Sequence, residues 1–346
     1  MITSEKLLVV GPSWVGDMVM AQSLYRLLKA RDASIEIDVL APAWSLPLLE
    51  RMPEVTRGIE LPVGHGELSV GLRRRIGYSL RGQYDRAIVL PRSLKSALVP
   101  WFAGISRRTG FRGEWRYGLI NDMRPFDPER LDRTVLRFVA LGLATAEEDL
   151  PEPPEPRLSV DSSVRDDVIA RLGLEVGGPV VALMPGAEYG PAKQWPQENF
   201  ARLAGRLADL GFTVWILGSE KEVPLGREIE RGAGSSRVRS VCGETALIEA
   251  VDLLGGANVA VSNDSGLMHI AAAVGVHTVA IYGSSTPDFT PPLTENSTIH
   301  YRRLACSPCF KRQCPLGHLE CLSGIEVDAV LAGVERRLEP GARAVS

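Results

Sequence analysis

Two doubly wound α/β domains are the fold class that this sequence predicts, and three observations support it. Short apolar runs alternate with helical patterns in the first half of the chain and again in the second. A proline-rich segment at about 150–158 separates the halves, and 346 residues exceed the length of one ordinary domain. We therefore expect Rossmann-like domains at 1–160 and 161–325. A helix or tail at 326–346 should follow, with packing back on the N-terminal domain as an open alternative.

The first half supplies three strands and one long helix. Apolar runs at 7–11, 35–41 and 84–91 predict strands, and the pattern at 18–31 predicts a helix. Residues 150–160, LPEPPEPRLSV, contain four prolines. Because proline at that density is excluded from sheet and helix interiors, this segment should be an extended linker.

The second half repeats the alternation. Residues 198–210 predict an amphipathic helix, and apolar runs predict strands at 179–186, 212–218, 258–264 and 277–283. Each of these strands ends in glycine or a polar residue. Ligands of doubly wound sheets bind outside the carboxyl ends of the strands, so we expect the binding loops to begin at these points.

Composition and charge restrict the possible functions. Charged residues make up 23% and hydrophobic residues 45% of the chain, as is typical of a globular enzyme. A net charge of -3 predicts no general affinity for nucleic acid. No apolar run approaches the ~18–20 residues that span a bilayer, and the first apolar run resembles a strand rather than a secretory signal. We expect a soluble, cytosolic protein.

Positive charge is concentrated between Ser69 and Arg124. This stretch contains twelve basic and three acidic residues, a local excess of nine positive charges. An arginine-rich surface suits phosphate or carboxylate groups, and the alternative is a solvated basic face without a ligand.

The first loop that carries a candidate catalytic residue is GPSWVGDMVMAQSL at 11–24. Gly16 permits close approach of the backbone, and Asp17 stands where a carboxylate either faces a ligand or caps the following helix. The loop lacks the G-x-G-x-x-G spacing, so a dinucleotide site is unsupported.

The second loop, MPGAEYGPAKQWP at 184–196, carries one cation after a strand that ends near Gly186. Lys193 is placed to reach a phosphate at the mouth of the loop, where a positive charge would offset that of a leaving diphosphate. The alternative is an ordinary solvated lysine.

The third loop, VSNDSGLMHIAAA at 261–273, is a strand-to-helix turn. Free backbone N–H groups at Asp264, Ser265 and Gly266 would form an anion site. His269 lies about one helical turn further on and could face the same ligand. The alternatives are Asp264 as a plain N-cap and His269 as a structural residue of the core.

Four of the five cysteines are clustered, with Cys242 apart and His318 inside the cluster. The cluster consists of Cys306, Cys309, Cys314 and Cys321. Cytosolic proteins rarely keep disulfides, so a structural zinc site is one interpretation and reduced thiols in a packed loop are the other.

Taken together and in order, the three loops resemble the bacterial heptosyltransferases of glycosyltransferase family 9. The cysteine stretch CSPCFKRQCPLGH at 306–318 and the basic stretch LPRSLKSALVPWFAGISRRTGFRGEWRYGLI at 90–120 resemble the same family, so the likeness extends from about residue 6 to 322. It implies the GT-B fold, in which two Rossmann-like domains face each other across a cleft. One departure is Asp-Ser-Gly at 264–266, where a related transferase type has Asp-Thr-Gly.

The resemblance also implies roles for individual residues. Asp17 would be the general base that deprotonates the acceptor hydroxyl, and Lys193 would hold the donor phosphates. Glu222 would bind the donor ribose, and Thr245 and Leu247 would lie near the adenine. The Asp-Ser-Gly turn and His269 would complete the donor site. The basic stretch would provide the acceptor contacts, assigned here to Arg92, Lys95, Arg112 and Arg116.

The function implied by the resemblance is inverting transfer of heptose from ADP-heptose to an anionic lipopolysaccharide inner core, with addition to the first heptose favoured. Fixed cations and N–H groups would replace a catalytic metal, so no cofactor is required. The localisation would be cytoplasmic, and peripheral contact with the cytosolic face of the inner membrane is a further expectation. Open alternatives are a family 9 enzyme that adds another core heptose, a different donor or acceptor, a non-catalytic nucleotide-sugar-binding protein and a nicotinamide-dependent dehydrogenase.

Overall fold

The structure is a computed structural model that describes residues 4–338 except 65 and 147, and its contacts divide the chain into two compact units. The first unit is Met1–Arg157 and the second is Leu158–Ser346. Each unit is built on one six-stranded sheet. All strand pairs within the two sheets are parallel, which requires a crossover connection between successive strands.

The first unit places its strands in the order β3-β2-β1-β4-β5-β6. The strands are β1 (Lys6–Val10), β2 (Glu36–Ala41), β3 (Arg57–Glu60), β4 (Arg86–Val89), β5 (Arg107–Phe111) and β6 (Asp122–Arg124). The helices are α1 (Val15–Arg31), α2 (Leu46–Leu49), α3 (Val70–Ser79), α4 (Leu98–Phe102) and α5 (Thr134–Leu141), with 3-10 turns at Ala43–Ser45 and Leu94–Ala97.

The second unit repeats this order, as β12-β11-β10-β7-β8-β9. Its strands are β7 (Val180–Met184), β8 (Thr213–Ile216), β9 (Val238–Ser240), β10 (Val259–Asn263), β11 (His277–Tyr282) and β12 (Ser297–Tyr301). Its helices are α6 (Ser162–Leu172), α7 (Gln197–Asp209), α8 (Val223–Ala233), α9 (Leu247–Gly255), α10 (Gly266–Ala273), α11 (Glu320–Ser323) and α12 (Val327–Leu338), with 3-10 turns at Pro191–Lys193 and Glu220–Glu222.

Burial explains why the central strands read as continuous apolar runs. Every residue of β7 and β10 is buried, because helices cover both faces of a doubly wound parallel sheet. The helix α7 adds Phe200, Leu203 and Leu207, which are fully buried in the same core. The apolar spacing on this helix thus determines which of its faces meets the sheet.

The strand and helix expectations agree with the structure apart from the element ends. The helix predicted at 18–31 begins earlier, at Val15, so that Asp17 lies inside its first turn. The proline-rich segment 151–160 forms neither helix nor strand. Gln22 holds this segment at Arg157: its side chain donates to Arg157 O at 2.7 Å and accepts from Arg157 N at 2.9 Å.

The C-terminal helix packs within the second unit. Val330, Leu331 and Val334 of α12 are buried in the same core as β10 and β11. Residues 339–346 lie outside the described residues, so packing of the tail on the N-terminal domain stays a prediction. Across the described part of the chain, no helix is both long and apolar enough to cross a bilayer.

Candidate active site

In the second unit, a charged pair lies where the strand order reverses. Lys193 ends the 3-10 turn after β7, and its Nζ contacts Asp264 Oδ2 directly after β10. The two side chains are only 17% and 4% exposed. Nucleotides bind at such a reversal point in doubly wound sheets, and low exposure strengthens the interaction between charges there. The structure therefore brings together two residues that the sequence singled out separately.

The loop after β11 contributes hydroxyl groups that the sequence interpretation missed. Ser285 Oγ donates to Asp264 Oδ2 at 2.5 Å, and Thr290 Oγ1 donates to Asp264 Oδ1 at 3.5 Å. Ser285 is 2% exposed. The available signal was the Gly-Ser-Ser-Thr run at 283–286, which follows a predicted strand just where a binding loop is expected. Asp264 is thus held by the loops that follow β7 and β11.

Asn263 fixes the loop that carries Lys193. This side chain is fully buried, accepts from Trp195 N at 2.9 Å and donates to Pro185 O at 2.6 Å. Two backbone points on either side of Lys193 are therefore tied to the end of β10. A lysine anchored in this way differs from an ordinary solvated loop lysine.

The helix α10 has Ser265 as its N-cap residue and Gly266 as its first residue, without a side-chain cap hydrogen bond. The alternative of Asp264 as a plain N-cap is therefore wrong, because its carboxylate is committed to Lys193 and Ser285. N–H groups in the first turn of a helix lack intrahelical acceptors and favour an anion. They lie beside the same lysine.

His269, on α10, is buried, and burial lowers its pKa to about 4. The charge of Asp264 opposes this lowering and that of Lys193 adds to it, so the ring lies within the same cluster. A neutral imidazole near neutral pH can donate one hydrogen bond and accept another without adding charge.

Glu222 lies so close to the loop after β7 that any side chain at Gly186 would displace its carboxylate. A Cβ built on Gly186 would lie 1.7 Å from Glu222 Oε1. The other oxygen, Oε2, accepts from Ser219 N at 2.6 Å, which caps the 3-10 turn after β8. Gly186 and Glu222, predicted as separate site residues, thus form one contact between neighbouring loops.

Thr245 and Leu247 lie further along the same edge of the sheet. Both are half-buried at the start of α9, after the edge strand β9. In the sheet order β10-β7-β8-β9, the Lys193–Asp264 pair follows the first two strands, and Thr245 and Leu247 follow the last.

The cysteine-containing loop supports the loop of Lys193. Ala192 N donates to Arg312 O at 3.1 Å, and Tyr189 Oη donates to Phe310 O at 2.7 Å. The Tyr189 ring lies 5.1 Å from Lys193 Nζ and 5.4 Å from the Arg312 guanidinium. Arg312 is therefore a second cation near the Lys193–Asp264 pair, and the sequence interpretation did not select it.

The four clustered thiols converge on one small cavity of about 20 Å³, which His318 also lines. Burial, followed by the charges of the other three cysteines, raises the pKa of Cys321. All four cysteines are free thiols, and no group of three or more His, Cys, Asp or Glu side chains in residues 4–338, leaving out 65 and 147, is placed to hold a metal ion. The clustering is confirmed, and the ligand set of the zinc interpretation is not assembled.

In the first unit, Asp17 is the third residue of α1, whose N-cap is Trp14. The alternative of Asp17 as an N-cap is therefore wrong, although an acidic residue in the first turn still suits the helix dipole. Burial lowers the pKa of Arg137, on α5, and the charge of Asp17 opposes this lowering. Asp17 is half-buried, and its charge acts on Arg137, an arginine that sequence reasoning missed.

An open pocket of about 640 Å³ lies beyond the carboxyl ends of β4, β5 and β6. Its lining includes Arg92 and Arg112, both exposed, together with Phe126. The Arg92 guanidinium stacks over the Phe126 ring at 4.0 Å and that of Arg137 at 5.1 Å. Stacking holds planar cations in place while leaving their N–H groups open to an anion.

Arg116 does not serve as a contact for a ligand, which corrects the sequence expectation. Its side chain is fully buried and donates to Pro91 O at 2.7 Å and Phe111 O at 2.6 Å. Burial lowers its pKa to about 10. The residue instead fixes the loops that carry Arg92 and Arg112. Lys95 is half-buried in the 3-10 turn after Arg92 and is absent from the lining of this pocket within the described residues.

Comparisons with known proteins agree with this geometry. The family model "Glycosyltransferase family 9 (heptosyltransferase)" matches residues 73–320. The chain is 49% identical over 303 residues to lipopolysaccharide heptosyltransferase 2 of Escherichia coli K12, covering 85% of this chain and 87% of the relative. It is 45% identical over 305 residues to lipooligosaccharide heptosyltransferase 2 of Haemophilus influenzae, covering 85% and 87%.

A solved structure extends the likeness to the backbone. The structure of the E. coli ADP-heptose lipopolysaccharide heptosyltransferase II aligns with a TM-score of 0.86 at 44% identity, covering 96% of this chain and 98% of that one. The predicted GT-B fold class is confirmed, and the dehydrogenase alternative is wrong. The chain is therefore a transferase, and it belongs to glycosyltransferase family 9.

Proposed function

We propose that this enzyme transfers L-glycero-D-manno-heptose from ADP-heptose to the first heptose of the lipopolysaccharide inner core, with inversion at the anomeric carbon. The observation that carries the proposal is the Lys193–Asp264 pair at the strand-order reversal of the second unit, beside the open N-terminus of α10. The names of the relatives, heptosyltransferase 2 in two organisms, support the choice of sugar and acceptor.

The proposed reaction is a single displacement. The acceptor oxygen attacks the anomeric carbon opposite ADP, so that a new carbon–oxygen bond forms as the bond to the phosphate oxygen breaks. Asp17 receives the proton of the acceptor hydroxyl, and ADP leaves with the bonding electrons. Lys193 and the N–H groups of α10 neutralise the charge that develops on the diphosphate. The proposal assigns no step to a metal ion.

The remaining donor contacts follow the order of the strands. The diphosphate lies at β7 and β10, the ribose hydroxyls donate to the Glu222 carboxylate, and the adenine lies near Thr245 and Leu247 after β9. Arg312 adds a second positive charge beside Lys193. The pocket of Arg92 and Arg112 binds the phosphate and carboxylate groups of the acceptor, since planar guanidinium groups match both.

A donor competition assay tests the proposal. Purified enzyme receives an acceptor that carries one heptose, with ADP-heptose offered against UDP- and GDP-sugars, and product mass is measured. We expect addition of one heptose from ADP-heptose alone. A parallel reaction with the heptose-free acceptor should give little product. The variant Arg227→Gln, at an exposed position on α8, serves as a handling control.

Other outcomes would replace the proposal. Transfer from a UDP- or GDP-sugar would show a different donor, and efficient use of the heptose-free acceptor would show a different place in core assembly. Binding of ADP-heptose without turnover on either acceptor would favour a nucleotide-sugar-binding protein.

A further inference from the structure

One face of the first unit combines exposed aromatic rings with arginines that form no salt bridge among the described residues, and the reaction described above does not use it. We call it the aromatic-basic face. It lies on α3, on the turn that follows α3 and on α4, and it consists of Arg74, Arg75, Tyr78, Arg81, Trp101 and Phe102. Tyr78 is 41% exposed and Trp101 is 44% exposed, although large aromatic side chains are normally buried.

Contacts between the two helices hold these rings in a fixed arrangement. The Phe102 ring meets Tyr78 edge-on at 6.1 Å and Trp101 at 4.8 Å. Gly77 allows the helices to approach, because a Cβ there would lie 2.5 Å from Phe102 Cβ. The face is therefore a built surface rather than a set of separate exposed side chains.

The arginines of the face are arranged around the Tyr78 ring. The Arg81 guanidinium lies 4.0 Å from the ring centroid and that of Arg74 lies 5.1 Å away. Arg81 Nε also donates to Phe102 O at 3.2 Å. These contacts hold the guanidinium groups at the surface without neutralising them, because a tyrosine ring carries no charge.

Positive charge on this face is uncompensated along its own segment. Residues 71–84 contain four arginines and no acidic residue, and Glu67 and Asp85 are the acids that flank them. Arg73 is buried and donates to Leu68 O at 2.7 Å, so it belongs to the interior. Arg74, Arg75 and Arg81 are exposed. The charged part of the face therefore consists of three arginines beside two exposed aromatic rings.

We propose that the aromatic-basic face docks this enzyme on an anionic lipid membrane. Trp and Tyr rings favour the headgroup level of a bilayer, and arginines near an anionic surface add electrostatic attraction. Arginine and aromatic residues together match such a surface in both charge and polarity.

The position of the face relative to the acceptor pocket supports a membrane as its occupant, an argument that rests on the proposed lipopolysaccharide acceptor. Ser93 lines the pocket, and the continuous helical segment 94–102 leads from it to Trp101. Such a segment spans roughly 14 Å at about 1.5 Å per residue. A lipid-anchored acceptor presents its sugars close to the bilayer surface, so docking next to the pocket shortens the search for it.

Vesicle co-sedimentation tests the proposal. Wild-type protein and the variant Arg74→Gln/Arg75→Gln/Trp101→Ser are mixed with vesicles of phosphatidylethanolamine and phosphatidylglycerol, or of phosphatidylcholine alone. We expect the wild type to bind the anionic vesicles and to be released by salt, because exposed charges are screened. The variant should bind about thirtyfold more weakly. Neither protein should bind phosphatidylcholine appreciably.

A control variant in the second unit loses equal charge and similar apolar exposure. This is Arg227→Gln/Arg231→Gln/Leu210→Ser, whose Leu210 is 52% exposed. It should bind anionic vesicles like the wild type. Transfer to a deacylated, water-soluble acceptor should be unchanged in both variants, whereas transfer to acceptor within vesicles should fall only in the variant of the face.

Several results would overturn membrane docking. These are absence of wild-type binding to anionic vesicles, equal binding by the face variant, or equal loss in the control. Reduced transfer to the soluble acceptor would assign the face to carbohydrate binding instead. A change of oligomeric state with unchanged vesicle binding would assign it to a second copy of the chain. The vesicle measurement uses neither donor nor acceptor, so its failure is distinguishable from failure of the proposed heptose transfer.

Discussion

The two units share one strand order, yet the loops at the carboxyl ends of their strands carry different chemistry. In the second unit, Lys193 and Asp264 are paired and nearly buried, and Asn263 and Ser285 fix them from behind. In the first unit, the loops after β4 and β5 open into a pocket of about 640 Å³ with exposed arginines. Identical topology therefore determines where ligands bind, and loop residues determine which ligand fits.

This contrast matches two different demands. A small diphosphate with a fixed charge pattern favours donors that are already oriented, because reorganisation during reaction is then small. A large carbohydrate acceptor favours an open surface with cations held by stacking. Arg116 shows how such a surface is built, since a buried guanidinium supports the exposed ones. The following predictions test this division from the largest expected effect to the smallest.

Substitution of Asp17 by Asn should have the largest effect. The amide keeps the size of the side chain but cannot accept the acceptor proton, so we expect kcat to fall about 10³-fold. Affinity for ADP-heptose should be unchanged, because donor binding belongs to the second unit. Transfer kinetics and calorimetric binding of ADP-heptose in the absence of acceptor check both statements. A kcat near that of the wild type would show that Asp17 is not the general base.

Substitution of Lys193 by Gln should lower kcat/KM about 10²-fold, because the leaving diphosphate loses its nearest cation. It also leaves the buried carboxylate of Asp264 without a counter-charge, which should cost about 3 kcal/mol of unfolding free energy. The double variant Lys193→Gln/Asp264→Asn should regain most of this stability and stay inactive. Denaturant unfolding and transfer rates separate the two effects. Recovery of activity in the double variant would contradict a direct role for Lys193.

A pair of arginine variants separates contact from support in the first unit. Arg112→Gln should raise the KM for the acceptor about tenfold and change the unfolding free energy by less than about 0.5 kcal/mol, as is usual at exposed positions. Arg116→Gln should raise the same KM and also cost about 3 kcal/mol, since carbonyl groups inside the fold lose their donors. Equal stability of the two variants would show that Arg116 does not organise the pocket.

The smallest effect concerns pH. The pKa of His269 is lowered to about 4 in the folded state, so its contribution to stability is present above its unfolded pKa of about 6.5 and is lost as pH falls toward the folded value. Between about pH 7.5 and about pH 5 this loss should reach about 2 kcal/mol. The variant His269→Gln lacks the titratable imidazole, so its unfolding free energy should depend less on pH. Parallel pH profiles for both proteins would contradict burial of the ring.

Much of this architecture could be predicted from local sequence. The apolar runs of β1, β7, β10 and β11 are continuous because helices bury both faces of a parallel sheet, and that pattern survives without tertiary information. The loop motifs around Asp17, Lys193 and Asp264 were selected because each follows such a run. The element ends were less exact, as the early start of α1 at Val15 shows.

Pairings across long sequence separations were beyond the reach of local patterns. Nothing local to Gly186 predicts that Glu222 lies against it, and the support of Ala192 by Arg312 joins segments over a hundred residues apart. Arg116 illustrates the same limit. Its sequence neighbourhood is basic and polar, so burial of its guanidinium could not be anticipated.

The sequence by itself determined the two doubly wound sheets, the order of the binding loops and the family, because periodicity and loop motifs are local properties. Only the tertiary structure decided which charges are paired, which arginines are buried and which rings are exposed. Those properties depend on the distance between atoms and on their access to water, and both arise only when distant segments pack together.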